Sequence, residues 1–266
     1  MNIIVCIKQV PDTTEVRINP ETNTLVREGV ESIINPFDLY ALEEGVRLRE
    51  EHGGKVTVIS MGPPQVEAAL RETLALGADE AVLLCDRAFA GADTWATGYT
   101  LARGISRLGD FDLVICGKQA IDGDTAQVGP GIAINLDIPQ ITYVKKVEEV
   151  GDGKIRVQRM LEEGYEVVEG DLPILITVVK DINEPRLPSL KGKLRAKKQE
   201  IPVWDADEIE ADPDRLGLIG SSTQVVKIFS PPSRGGGEIF SGEAAETVPR
   251  LVEALAEAGL LNRSGN

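Results

Sequence analysis

Unbroken apolar runs recur through the first half of the chain: "NIIVC" (2–6), "VTVIS" (56–60), "AVLLC" (81–85) and "DLVIC" (112–116). They do not alternate with polar residues, which is the pattern of strands buried on both faces. Between them, apolar positions recur every three or four residues. Leu39, Leu42, Val46 and Leu48 mark a helix that Gly53 and Gly54 stop. Val66, Ala69, Leu70, Leu74 and Leu76 mark a second. "DTWATGYTLARGISRLG" (93–109) reads as a third, with Asp93 or Thr94 as its N-cap. A fourth is expected to start near Thr125. "TTEVRINPETNTLVREGV" (13–30) predicts a hairpin around its turn-rich centre.

Strands alternating with helices through about residue 139 predict an α/β fold, a doubly wound, mostly parallel, Rossmann-like sheet. After residue 140 the rhythm changes. "QITYVKKVEEV", "KIRVQRML", "YEVVEG" and "PILITVV" predict strands on short turns, an antiparallel extension of the sheet. We expect an α/β domain over 1–204 and a C-terminal arm over 205–266, the latter with a proline- and glycine-rich stretch, "SPPSRGGGEIF", and a final helix.

Composition narrows the chemistry. Only 4% of the 266 residues are aromatic, so Val, Ile, Leu and Ala must build the core. A net charge of -15 disfavours nucleic acid and anionic membranes as partners. No apolar stretch is long enough to span a bilayer. Cys6, Cys85 and Cys116 sit at strand ends without paired spacing. That fits a reducing, cytoplasmic setting and no metal cluster. The lone His52 stands at a helix end, where its charge suits the dipole. No activated nucleophile is evident.

In a doubly wound sheet, ligands bind beyond the carboxyl ends of the strands. Segments 6–12, 61–64, 85–97 and 117–128 fall there. "GKQAIDGDTAQVGPG" (117–131) carries two aspartates and no cation after Lys118. A helix N-terminus binds an anion on backbone N–H groups alone. Gly123 allows close approach, Thr125 offers a hydroxyl, and Asp122 or Asp124 can cap the turn. An ordinary capped strand–helix turn uses the same residues. The loop at 86–98 adds a second helix N-terminus, enough for a diphosphate. Neither loop is a Walker A, no GxGxxG follows the first strand, and "KQVPDTT" is not the SGGxDS loop of an adenylating enzyme.

The chain resembles the beta subunit of electron transfer flavoproteins along essentially its whole length. "VCIKQVPD", "INPFDLYALEEGVRLRE", "MGPPQ", "TLALGADEA", "GKQAIDGDTAQVGP" and "NEPRLPSLKGKLRAKKQEI" carry the resemblance. It implies a heterodimer with an alpha subunit that holds the electron-carrying flavin. It also implies an adenine nucleotide at this chain's strand ends. The implied contacts are Cys6, Asn35 to Asp38, Met61, Gly117, Gln119, Ala120, Ile121, Asp122, Gly123, Asp124, Thr125, Ala126, Gln127 and Val128. Ordinary members hold AMP as a structural filler. Flavin-bifurcating members hold a second FAD, which takes electrons from NADH and parts them between two routes. "DRAFAGADTWAT" (86–97) resembles the bifurcating members, with Asp93, Thr94 and Thr97 at the FAD diphosphate and Arg87, Phe89 and Gly91 near the ring system.

The same resemblance makes 183–200 a recognition segment for an acyl-CoA-type dehydrogenase. Leu190 would be the apolar anchor, ringed by Lys191, Lys193, Arg195, Lys197 and Lys198. An apolar anchor supplies affinity and the charges supply steering. A low-potential acceptor such as ferredoxin or flavodoxin completes the partners expected of a bifurcating member. Residues 205–266 are expected to wrap the alpha subunit.

Overall fold

The computed structural model describes residues 1–12, 32–227 and 237–261, with the backbone of two further short strands. One compact unit spans Met1–Ile228 and a second Phe229–Asn266. The first is built from β1 (Asn2–Cys6), β2 (Gln9–Pro11), β3 (Ile18–Asn19), β4 (Thr24–Leu25), β5 (Ser32–Ile34), α1 (Pro36–His52), β6 (Lys55–Met61), α2 (Glu67–Leu76), β7 (Glu80–Leu84), α3 (Thr94–Leu108) and β8 (Leu113–Gly117). It continues through α4 (Val128–Leu136), β9 (Gln140–Gly151), β10 (Lys154–Leu161), β11 (Gly164–Asp171), β12 (Ile174–Val178), α5 (Leu190–Ala196) and β13 (Val203–Trp204). The second unit holds α6 (Ala244–Glu257).

The main sheet has the order β11-β10-β9-β12-β8-β1-β6-β7-β13. β1 lies between β6 and β8, parallel to both. The chain winds outward one way through β6 and β7, then returns to β8 on the other side of β1. That reversal makes the β1/β8 boundary the topological switch point, where such folds open a binding crevice. Alternation along β1 feeds two cores. Ile3 and Val5 pack with Leu42, Val46, Leu70 and Leu74 of α1 and α2. Ile4 and Cys6 pack with Ile105 of α3 and Ile132 of α4. Burial on both faces explains why these strands read as unbroken apolar runs.

Local signals set most helix ends. Pro36 opens α1, and Gly53 closes it with a φ of 72°. Gly77 and Gly109, at φ 130° and 89°, close α2 and α3. The Asp93 carboxylate caps α3 by accepting from the Trp95 and Ala96 N–H groups. The expected antiparallel extension is present in β9, β10 and β11. β12 departs from it: "ILITV" runs parallel to β8 and β9 in the interior of the sheet. Its fully buried pattern, with no alternation, is the physical reason.

Of the hairpin expected over 13–30, β3 and β4 pair antiparallel, and its other residues lie outside the described ones. Most of "SPPSRGGGEIF" lies outside them too. Residues 205–227, grouped by sequence with the arm, belong to the first unit. Asp212 N–H donates to the Tyr99 hydroxyl at 2.8 Å, and Leu218 N–H to the Ala90 carbonyl at 3.1 Å. No described helix is long and apolar enough to cross a membrane.

Candidate functional site

The crevice lies where the loops after β1 and β8 meet the start of α1. Asn35 joins all three. Its N–H donates to the Lys8 carbonyl at 2.8 Å, and its own carbonyl receives the Asp38 N–H at 2.9 Å. Its side chain, fully buried, bonds the loop after β8: Nδ2 donates to the Gln119 carbonyl at 2.9 Å, and Oδ1 accepts the Ile121 N–H at 3.1 Å. Asp38 is buried beside it and accepts the Lys8 N–H at 2.7 Å. Burial pushes its carboxyl up to about 7, against the lowering pull of hydrogen bonds from Lys8, Asn35 and Gly117. Gly117 is required here, because a Cβ would stand 2.3 Å from Asp38 Oδ1.

Cys6 and Cys116 are partners in parallel register at the floor of the crevice. The hydrogen bond to Cys6, then burial, pushes the Cys116 thiol well up, so it stays protonated. Both cysteines are buried core side chains. Met61 ends β6 and packs partly buried against the same core.

The loop at 117–127 differs in detail from the expected strand–helix turn. α4 starts at Val128, three residues after Thr125. Asp124 and Ala126 adopt left-handed φ values of 51° and 53°, which no helix can contain. Neither aspartate caps α4. Asp122 pairs with Lys8 Nζ at 2.6 Å, and Asp124 accepts from the Gln119 side chain. Gly123 has nothing within 4 Å of a built Cβ, so it faces open space. Asp122, Thr125 and Gln127 are exposed, as is Ile121 at 47%, while Ala120 is partly buried.

α4 therefore has no side-chain cap. Its first-turn N–H groups, on Val128 and Gly129, bond no described residue and can hold an anion. α3 begins beside it. A Cβ on Gly98 would lie 3.0 Å from the Gly131 carbonyl carbon, and one on Gly131 would lie 3.7 Å from the Thr94 carbonyl. Two glycines thus let α3 and α4 touch backbone to backbone, with their N-termini side by side.

In the block at 86–97, Asp93 is the expected N-cap of α3. Asp93 Oδ1 caps α3, and Oδ2 accepts from the Thr223 N–H and hydroxyl at 2.9 and 3.1 Å. Burial alone would raise its carboxyl, but these bonds outweigh it and hold the group below the usual range. Both Asp93 carboxylate oxygens are thus engaged within the chain. Thr94 and Thr97 are partly buried, and their hydroxyls bond no described residue. Arg87 is exposed. Phe89 is a core residue, and Gly91, at φ 75°, packs against Leu218.

The basic segment sorts into two groups. Arg186 turns back to α1, bonding Glu43 at 2.8 Å and Glu50 at 2.7 Å. Arg195 also points inward, donating to the Leu74 and Ala78 carbonyls at 2.9 and 2.7 Å. It seats α5 on the end of α2, where a Cβ on Gly192 would meet the Ala75 carbonyl oxygen at 2.3 Å. Lys191, Lys193, Lys197 and Lys198 are exposed, with no ion pair among the described residues. They surround Leu190, 76% exposed, and Leu194, 55% exposed. Leu187 lies just upstream, 90% exposed.

A model of the electron transfer flavoprotein domain matches residues 22–209. The chain belongs to the electron transfer flavoprotein beta subunit family. It is 60% identical over 256 residues to the electron transfer flavoprotein subunit beta of Thermoanaerobacterium thermosaccharolyticum, covering 96% of this chain and 98% of that one. It is 51% identical over 263 residues to the caffeyl-CoA reductase-Etf complex subunit CarD of Acetobacterium woodii, covering 98% of this chain and 100% of that one. It is 49% identical over 266 residues to protein FixA of Azotobacter vinelandii, covering 98% and 93%. Electron transfer is the work of this family, and its fold is the α/β sheet described above.

What sequence reasoning missed is how the crevice is held together. Asn35 directly precedes Pro36, the first residue of α1. The Asn35 side chain makes no cap bond and is spent on the loop after β8.

Proposed function

We propose that this chain is the FAD-binding beta subunit of a bifurcating electron transfer flavoprotein. It pairs with an alpha subunit through residues 205–266. The observation that supports the reading is the backbone contact of α3 and α4, which brings the Thr94 and Thr97 end of α3 beside the uncapped start of α4. A diphosphate needs more than one such donor group, and the uncapped α4 supplies the first. The donors are the Val128 and Gly129 N–H groups, with the Thr94 and Thr97 hydroxyls at α3. When bound, the flavin supplies the redox chemistry, taking two electrons from NADH and parting them between a high- and a low-potential route. The chain's own part is to hold the dinucleotide, to order the loop through Asn35, and to dock its partners.

Leu190 and the four free lysines would dock an acyl-CoA-type dehydrogenase as the high-potential acceptor, reached through the FAD of the alpha subunit. A ferredoxin or flavodoxin would be the low-potential acceptor. The CarD relative is named as part of a caffeyl-CoA reductase complex, in keeping with a dehydrogenase partner. A cytoplasmic location follows from the same reading.

Asp93 favours a second reading. Its carboxylate occupies the α3 N-terminus. That leaves α4 alone to hold a single phosphate, as AMP in a simple electron shuttle. Nucleotide content of the co-expressed heterodimer decides between the two. Two FAD and no AMP, after refilling with excess FAD, support bifurcation and lead to an assay of NADH oxidation. One FAD and one AMP overturn it.

A further inference from the structure

Lys118 follows directly on β8, its N–H donating to the Val178 carbonyl at 2.9 Å. Its ammonium stands over two aromatic faces, 5.7 Å from the Phe37 ring centre and 5.4 Å from that of Tyr143. Ring faces attract a cation at this range without neutralising it. No carboxylate among the described residues pairs with Lys118, in a chain with 43 acidic against 28 basic residues. Lys8, at the same edge of the sheet, shows the ordinary outcome: Asp122 takes it at 2.6 Å.

Tyr143 reaches Lys118 through a strained backbone. Its φ is 61°, a region bulky side chains rarely adopt. The distortion falls at the irregularity in the β9–β12 pairing, and Thr177 Oγ1 accepts the Tyr143 N–H there at 3.1 Å. Strain of this kind persists only where the surroundings enforce it, and it gathers at ligand sites.

From this geometry we infer that Lys118 is a positioning cation of the crevice, held uncompensated by Phe37 and Tyr143 for an anionic group of a bound cofactor. The inference deepens the nucleotide reading above and rests on it. The anion has two possible sources: a phosphate of the nucleotide in this chain, or the flavin ring of the alpha subunit when it bears negative charge.

The test uses the heterodimer, stripped of the crevice nucleotide, as wild type and as Lys118→Met, Lys118→Arg and Tyr143→Gly. Met keeps an apolar stem between the rings, Arg keeps the charge, and Gly relieves the strained φ. AMP and FAD are titrated by calorimetry at two ionic strengths, and the potential of the alpha flavin is measured by spectroelectrochemistry. Loss of the charge is expected to weaken nucleotide binding about tenfold and flatten its salt dependence. Arg should restore both. Gly should weaken binding without lowering the melting temperature. Unchanged affinity with a lowered flavin potential in Lys118→Met assigns the anion to the alpha flavin. Affinities within about twofold of wild type, with the potential unmoved, overturn the inference while leaving the nucleotide reading intact. A wild type that takes up neither AMP nor FAD removes both.

Discussion

Asn35 and Ile121 are 86 residues apart in sequence and 3.1 Å apart in the fold, joined by the Asn35 side chain and the Ile121 N–H. With the Nδ2 bond to the Gln119 carbonyl, this closes a fully buried link between the start of α1 and the loop after β8. Asn35→Ala strands one donor and one acceptor. Each unpaired group costs about 1–3 kcal/mol. Urea unfolding should show a loss of a few kcal/mol, and on the nucleotide reading the purified heterodimer should lose its crevice nucleotide. Asn35→Asp should not rescue it, because a carboxylate cannot donate to the Gln119 carbonyl and would be buried charged. A fully loaded, stable Asn35→Ala protein would sink this account.

The contact between α3 and α4 tolerates no side chain at Gly98. A Cβ there meets the Gly131 and Ile132 backbone at 3.0–3.3 Å, and backbone in the body of a helix cannot swing aside. Gly98→Ala should force the helices apart and cost about 1–3 kcal/mol, as overpacking does. It should also separate the two N-termini. On the FAD reading, FAD affinity falls more than AMP affinity, since only the dinucleotide needs both helices. Gly109→Ala serves as the control, because it has open space and affects only the left-handed cap of α3. Equal losses for AMP and FAD in Gly98→Ala would remove the two-helix argument.

Asp38 makes stability depend on pH with a defined sign. Burial raises its carboxyl from an ordinary 3.8 to about 7. Below about pH 4 the acid is neutral in folded and unfolded chains alike, and the group contributes nothing. Between about pH 4 and 7 the unfolded chain releases its proton first, so stability falls as pH rises. Above about pH 7 the loss is complete, on the order of 4 kcal/mol. Asp38→Asn removes that slope. The difference in unfolding free energy, variant minus wild type, should grow from pH 5 to about pH 7 and then level off in urea melts. A difference that stays flat, or shrinks, contradicts the assignment.

Much of the scaffold was legible in the sequence because it is encoded locally. The strands of the parallel sheet announce themselves as apolar runs, since both faces are covered. Val66, Ala69, Leu70, Leu74 and Leu76 carry their burial in their spacing, and all five are buried. The crevice was legible only as a place. Its details rest on pairs distant in sequence, such as Asn35 with Gln119, Lys8 with Asp122, and Asp93 with Thr223. No periodicity marks them. Asp93 shows the limit: the capping rule found its role on α3, but nothing local said that its second oxygen was already bound. The start of α4 was misplaced because Ala126 takes a left-handed φ that its residue type does not suggest. "ILITV" was placed with the antiparallel strands because it follows them in the chain. Its position beside β8 is set by a long-range parallel pairing.

Leu190 and Arg195, on the same short helix, should separate docking from folding. Leu190 is 76% exposed and packs against little, so Leu190→Ala should leave the melting temperature unchanged within about a degree. On the recognition reading it removes the apolar anchor, and the rate of electron transfer to the partner dehydrogenase falls tenfold or more. Arg195 seats α5 through the Leu74 and Ala78 carbonyls, at 2.9 and 2.7 Å. Arg195→Ala should loosen the helix, with faster backbone hydrogen exchange confined to residues 187–199, and weaken docking indirectly. Lys191→Ala and Lys197→Ala should leave exchange untouched, slow association, and reduce its salt dependence, as expected of steering charges. The decisive comparison is the salt series. If Arg195→Ala flattens the salt dependence as the lysine variants do, while exchange over α5 is unchanged, then Arg195 steers the partner after all. If exchange rises and the salt slope is kept, it is a mount for the anchor.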